Sequence, residues 1–176
     1  MLIGTRVASL LLAACLATAA TVTFAQNIPT AAEMVEQLKS VAVAPRTRTL
    51  RNLSIEAAIP IDTPRPSLSL QIQFDFNSAK VLPVSQKALA NLAEAMQSKE
   101  LGEVKFAIEG HTDAKGRAEY NLKLSEQRAY AVSAVLASHG VTVARLVAVG
   151  KGETEPANAA DPLAAENRRV RIVNLN

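Results

Sequence analysis

The chain has 176 residues, 49% of them hydrophobic and 20% charged, with a formal net charge of +3. So mild a balance excludes the basic footprint of a nucleic-acid binder, and an aromatic content of 3% without a tryptophan leaves no platform for stacked bases. One cysteine, Cys15, excludes an internal disulfide.

The N-terminus reads as a secretory signal: Arg6, an apolar run from Val7 to Leu16, then small residues to Ala25. Cleavage is expected after Thr23-Phe24-Ala25. Two alternatives share the segment. Leu12-Ala13-Ala14-Cys15 looks like a bacterial lipobox, which would lipidate Cys15 and tether the chain to a membrane. Val7–Ala25 also approaches the lower length limit of a membrane span, although its threonines weigh against one. The chain therefore divides into a signal peptide at 1–25, a short helix and arm at 26–66, and one folded domain at 67–176.

Thr30-Ala31-Ala32-Glu33 fits a capping box, and Met34, Val35 and Leu38 follow at helical spacing. From Pro45 to Pro66, four prolines mixed with Arg46, Arg48, Arg51 and Arg65 predict an extended arm; its arginines belong to a solvated linker or face an anionic partner. Leu68, Leu70, Ile72, Phe74 and Phe76 alternate with polar residues, the period of a strand with one buried face. Pro83 suits a first helical turn, and Leu89, Leu92, Ala93 and Met96 give that helix an apolar stripe before Gly102. Val104, Phe106 and Ile108 form a second strand ending at Gly110.

A long helix follows from Glu119 to Ser138, stopped by Gly140. Strand signal returns at Leu146–Val149, Gly150-x-Gly152 reads as a turn, Asp161-Pro162 as the start of a short helix, and Val170 with Ile172 as the last strand. The order strand-helix-strand-helix-strand-short helix-strand predicts an α/β (α+β) sandwich, its helices on one face of a mixed sheet.

The long helix carries an anomaly. At about 100° per residue, Leu124, Val132, Val135 and Leu136 define an apolar stripe, yet Asn121, Ser125 and Arg128 lie near its middle. A guanidinium out of water needs an anionic oxygen, ideally a carboxylate held by two N–H donors. Asp113 is the nearest upstream acid. Either the two pair and staple loop to helix, or they stand apart as the two ends of a socket for a ligand of both charges. His111 and His139 are the only histidines, and no ligand-spaced Cys or acidic cluster accompanies them, so a zinc site is not expected. No serine sits in an elbow motif, and His111 reads as a residue that fixes its loop by hydrogen bonds.

Gly110-His111-Thr112-Asp113, Gly116, Tyr120-Asn121, Leu124-Ser125, Arg128-Ala129, Gly150-Lys151-Gly152-Glu153, Pro156 and Asn167-Arg168-Arg169-Val170 together resemble the OmpA-like domain. This is the C-terminal peptidoglycan-binding domain of outer-membrane protein A, also carried by peptidoglycan-associated lipoproteins and flagellar stator B subunits. The resemblance spans roughly Leu68 to Asn174. It implies non-covalent binding of the meso-diaminopimelate of the peptidoglycan stem, with Asp113 taking the ammonium, Arg128 the carboxylate and Asn121 a supporting role. Thr112 joins the set through its motif, and Arg169 through the Asn-Arg-Arg motif.

The expectation is thus a non-enzymatic periplasmic protein without cofactor or metal, tethering peptidoglycan to the outer membrane or an envelope complex. The alternatives are a wall hydrolase or amidase and a stator-like component; a stator needs an acid in its membrane segment, and residues 1–25 contain none. Oligomeric state and the partner of the arm are left open.

Overall fold

The computed structural model describes residues 28–39 and 64–176. The signal segment with Cys15 and the arm from 40 to 63 lie outside the described residues. Helix α1 (Ala31–Leu38) starts at Thr30, whose hydroxyl accepts from Glu33 N while the Glu33 carboxylate accepts from Thr30 N, so the capping box forms. Met34, Val35 and Leu38 are buried in the common core. Asn91 Nδ2 donates to Pro29 O at 2.9 Å and Asn174 Nδ2 to Leu38 O at 2.8 Å, tying both ends of α1 to the domain.

Four strands, β1 (Ser67–Leu70), β2 (Phe106–His111), β3 (Leu146–Gly152) and β4 (Val170–Asn174), form one sheet in the order β1-β4-β2-β3. The β1–β4 and β4–β2 pairs are antiparallel and β2–β3 is parallel, so the sheet is mixed. Leu68, Leu70, Phe106, Ile108, Val170 and Ile172 point to the side covered by α2 (Gln86–Met96) and α3 (Ala118–Ser138). This is the expected helix-on-one-face architecture.

The first strand is shorter than its alternation predicts. Pairing with β4 ends at Leu70↔Val170, and the chain then folds back on itself. Leu82 N bonds Gln73 O and Asp75 N bonds Lys80 O, with a lone bridge between Phe74 and Val81. Ser78 N closes the turn on Asp75 O, with Asn77 at φ 49°, and Phe76 is left 95% exposed. The expected short helix after Pro162 is only a turn on Asp161 followed by a 3₁₀ turn, Ala165–Asn167.

Helix α3 ends as expected. Gly140, at φ 96°, lets Val141 N reach Leu136 O while its own N–H bonds Ala137 O. Gly150 and Gly152 end strand β3 rather than forming a turn of their own, and they lie under α3. A Cβ on Gly110 would sit 2.1 Å from Ser125 O, and one on Gly150 would be 2.9 Å from Leu122 O. Bare glycine backbone therefore lets α3 settle directly onto β2 and β3.

Arg145 closes the far end of the domain. Its Nε donates to Val104 O at 2.9 Å, its Nη2 to Met96 O at 2.8 Å and Leu101 O at 2.6 Å, and its guanidinium lies 5.7 Å from the Phe106 ring centre. The bond to Met96 O satisfies a carbonyl left open where α2 stops, and the other two tie Arg145 to the segment that follows. Arg145→Ala is expected to destabilise the fold by about 2–4 kcal/mol in denaturant titration, with Arg145→Lys recovering little, because a lysine cannot span the carbonyls with a planar fork.

Candidate functional site

The site gathers at the end of β2, the loop before α3, the turn at 75–78 and the loop before β4. Ser125, fully buried, holds α3 to β3: its hydroxyl donates to Leu122 O at 2.7 Å and accepts from Gly152 N at 2.9 Å. One turn earlier, buried Asn121 spends its amide donors on Asp113 O (3.3 Å), Lys115 O (3.2 Å) and Glu153 Oε2 (2.6 Å). Asn121 thereby shapes the Asp113 loop and joins it to the segment after β3. The two polar residues on the apolar stripe are thus satisfied, as burial requires.

One turn later Arg128 is half-buried. Its Nε donates to Ser78 O at 3.1 Å and its guanidinium carbon lies 4.9 Å from the Phe74 ring centre. Among the described residues no carboxylate comes within ion-pair distance of it. Burial pulls its pKa below the ordinary arginine value; Tyr120 and Asp113 oppose that pull and Arg168 adds to it. Arginine nevertheless remains a cation at neutral pH. The Tyr120 hydroxyl donates to Asn77 Oδ1, fixing the turn beside it.

Asp113 does not pair with Arg128. Its Oδ2 accepts from Arg168 Nη1 at 2.8 Å and its Oδ1 from Lys115 N at 3.2 Å. Thr112 is held by its backbone, Thr112 N to Gly152 O at 2.8 Å, while its buried Oγ1 has no partner among the described residues.

Arg169, the arginine singled out from the sequence, does not reach Asp113. Its Nη2 donates to Glu155 O at 3.0 Å, and its carbonyl accepts from His111 N at 2.9 Å. Arg169 stands where β4 joins β2, so its side chain shares a sheet face with Arg171 two residues on. Its neighbour Arg168 takes the other side and the site. Extended backbone sends adjacent side chains apart, and sequence proximity alone did not say which one would meet Asp113. Glu153, Phe74 and Ser78 were also missed; Glu153 carried a signal in the Gly-Lys-Gly-Glu run.

His111 does not fix the loop through its ring, since neither ring nitrogen has a hydrogen-bond partner among the described residues. Its backbone does that. The ring is buried on the sheet face opposite the helices, with Glu109 Oε2 at 3.8 Å from Nε2. Lys151, Glu155, Arg169 and Arg171 surround it. Burial, then Arg169, lowers its pKa to about 4, Arg171 and Lys151 adding and Glu155 opposing. The unfolded chain takes up this proton below about pH 6.5 and the folded chain only near 4. Stability is therefore complete above the unfolded value and declines as pH falls from 6.5 toward 4. Thermal melting across that window should show the loss, and His111→Asn should flatten it.

Among the described residues, no group of three or more His, Cys, Asp or Glu is placed to hold a metal ion. What the site offers is hydrogen bonding and opposed charge.

The family model described as the OmpA family matches residues 73–170, and the chain belongs to that family. Outer membrane porin F of Pseudomonas fluorescens is 42% identical over 105 residues, 58% of this chain but 32% of the porin. The chain thus spans about a third of that relative's length. Among solved structures, the peptidoglycan-associated lipoprotein from Burkholderia pseudomallei superposes with a TM-score of 0.51 at 34% identity, covering 60% of this chain and 88% of the other. The cell wall anchor of the T6SS from Pseudomonas aeruginosa gives a TM-score of 0.52 at 30% identity, covering 64% and 82%. These relatives set the chain among proteins of the bacterial outer membrane and cell wall.

Proposed function

We propose that the chain binds peptidoglycan non-covalently through the meso-diaminopimelate of the stem peptide, and so anchors the wall, from the periplasm, to the outer membrane or an envelope complex. The observation that carries this reading is Arg128, a half-buried cation with its Nε on a carbonyl, a ring beneath it and no carboxylate beside it among the described residues. A cation so placed suits a carboxylate brought by a ligand. Asp113, 15% exposed at its side chain, would take the ammonium on the same carbon. Asn121 would act through the loop it shapes, and Thr112 would act through the same loop, held by its backbone bond to Gly152 O. Arg169 is left to the opposite side, and Arg168 stands in its place beside the ligand. The names of the similar structures, a peptidoglycan-associated lipoprotein and a cell wall anchor, agree with this assignment.

Charge-assisted hydrogen bonds contribute about 1.5–3 kcal/mol each, less the cost of association. Single-site affinity should therefore be modest, and the repeated stems of a polymer supply avidity. The test is co-sedimentation with isolated sacculi, with and without free meso-diaminopimelate. The protein should pellet with the wall and be released by the free amino acid. Retention undiminished by saturating amino acid would rule the socket out, and soluble wall fragments would favour the hydrolase alternative.

A further inference from the structure

The acceptor of the socket is already filled by the protein itself. Arg168 Nη1 lies 2.8 Å from Asp113 Oδ2, and Arg168 is half exposed at 49% while Asp113 is largely covered at 15%. The backbone beneath Arg168 is pinned. Fully buried Asn167 accepts from Asn158 N at 2.8 Å and donates to Asp161 O at 2.9 Å, and Arg168 N bonds Ala165 O. Ala114 N donates to Pro162 O at 3.0 Å, so this loop and the Asp113 loop are fastened together. The guanidinium is thus presented to the carboxylate from a fixed base, with solvent open on its other side.

We propose that Arg168 is a specificity-determining residue of the socket, an internal stand-in for the ligand's ammonium that yields only to a ligand bringing a carboxylate as well. The proposal rests on the peptidoglycan reading above. A bare ammonium arriving at Asp113 exchanges one ion pair for another at the same oxygen and leaves Arg168 and Arg128 without an anion. A carbon bearing both ammonium and carboxylate supplies that anion, which Arg128 and the displaced Arg168 can share. The consequence is selection for stems whose third residue ends in a zwitterion, against stems whose third residue ends in a plain amine.

The test uses the full chain and two fluorescently labelled tripeptides, L-Ala-γ-D-Glu-meso-diaminopimelate and L-Ala-γ-D-Glu-L-Lys, titrated by anisotropy. The parent should prefer the first. Arg168→Gln should bind the lysine peptide about threefold more tightly, the scale of one partly exposed ion pair, and the preference should narrow. Arg168→Lys, which keeps a cation, should retain most of it. An Arg168→Gln protein with the parent's preference would overturn the inference while leaving the function standing, as would an Arg168→Lys protein that loses as much as Arg168→Gln. A parent that binds neither peptide would bring down the function and this inference with it.

Discussion

Arg128→Met is expected to reduce sacculus binding by about 100-fold while shifting unfolding free energy by no more than about 1 kcal/mol. The first figure follows from losing two charge-assisted bonds to a carboxylate, at about 1.5–3 kcal/mol each, where 1.4 kcal/mol is tenfold. The second follows from the free protein. The substitution removes the bond to Ser78 O and the contact over Phe74, together about 1–2.5 kcal/mol. It also removes a half-buried charge that has no carboxylate against it among the described residues, and relief of that desolvation acts in the opposite direction. Methionine keeps an unbranched stem and places sulfur near the Phe74 ring. The dissociation of the two effects is the informative part. A residue that staples a loop loses stability and binding together, whereas a residue held open for a ligand loses binding alone. Binding isotherms and thermal melts on one preparation decide between them, and intact binding with a large fall in melting temperature would assign Arg128 to the scaffold.

The same residue shows what was legible in the sequence. Its position on the stripe of α3 follows from the angle between Asn121, Ser125 and Arg128, and the structure turns Asn121 to the Asp113 loop and Glu153, Ser125 to β3 and Arg128 to the turn at 75–78. Helical phase fixes direction from the axis, so a polar residue on the apolar side is informative before any coordinates. Phase does not name partners. Alternation correctly marks Leu68, Leu70 and Ile72 as buried, yet it cannot tell a strand paired with β4 from a hairpin paired with itself. The change of partner comes from the turn at Asp75–Ser78 and the positive φ of Asn77, which exposes Phe76 where alternation buries it. Gly150-x-Gly152 lacks the length and helix of a phosphate loop and so reads as a turn; in the fold the missing side chains make room for a helix.

For the site, Asp113 and Arg128 stood out because each is a charge in a motif or on a face with few others. Arg168 did not, because its meeting with Asp113 depends on a loop whose shape is set by the Asn167 side chain, which accepts from Asn158 N and donates to Asn158 O. Such a loop has no period to read. The resemblance gives Asn121 a supporting role, and its amide is directed at the loop carbonyls and Glu153.

Gly110→Ala is expected to destabilise the domain by about 3 kcal/mol or more and to abolish wall binding with it. The new Cβ would lie 2.1 Å from Ser125 O and 2.9 Å from Ser125 C. Those are backbone atoms in the middle of a 21-residue helix, so no side-chain rotation relieves the clash. Either β2 bends or α3 lifts, and lifting α3 breaks the bond from Gly152 N to the buried Ser125 hydroxyl. It also carries Asn121 away from the Asp113 loop and Arg128 away from Phe74. Gly102→Ala is the matched control: its Cβ meets only Ser98 O, at 3.2 Å, and the backbone there is not left-handed. A shift of a few tenths of an ångström accommodates it, and the loss of unfolded-state freedom offsets the contact, so its melt should stay close to that of the parent. A Gly110→Ala protein that melts with the parent would mean that the helix sits farther from the sheet than this. The socket between Asp113 and Arg128 would then have to be redrawn, because the seating of α3 on bare glycine backbone sets where both ends of it stand.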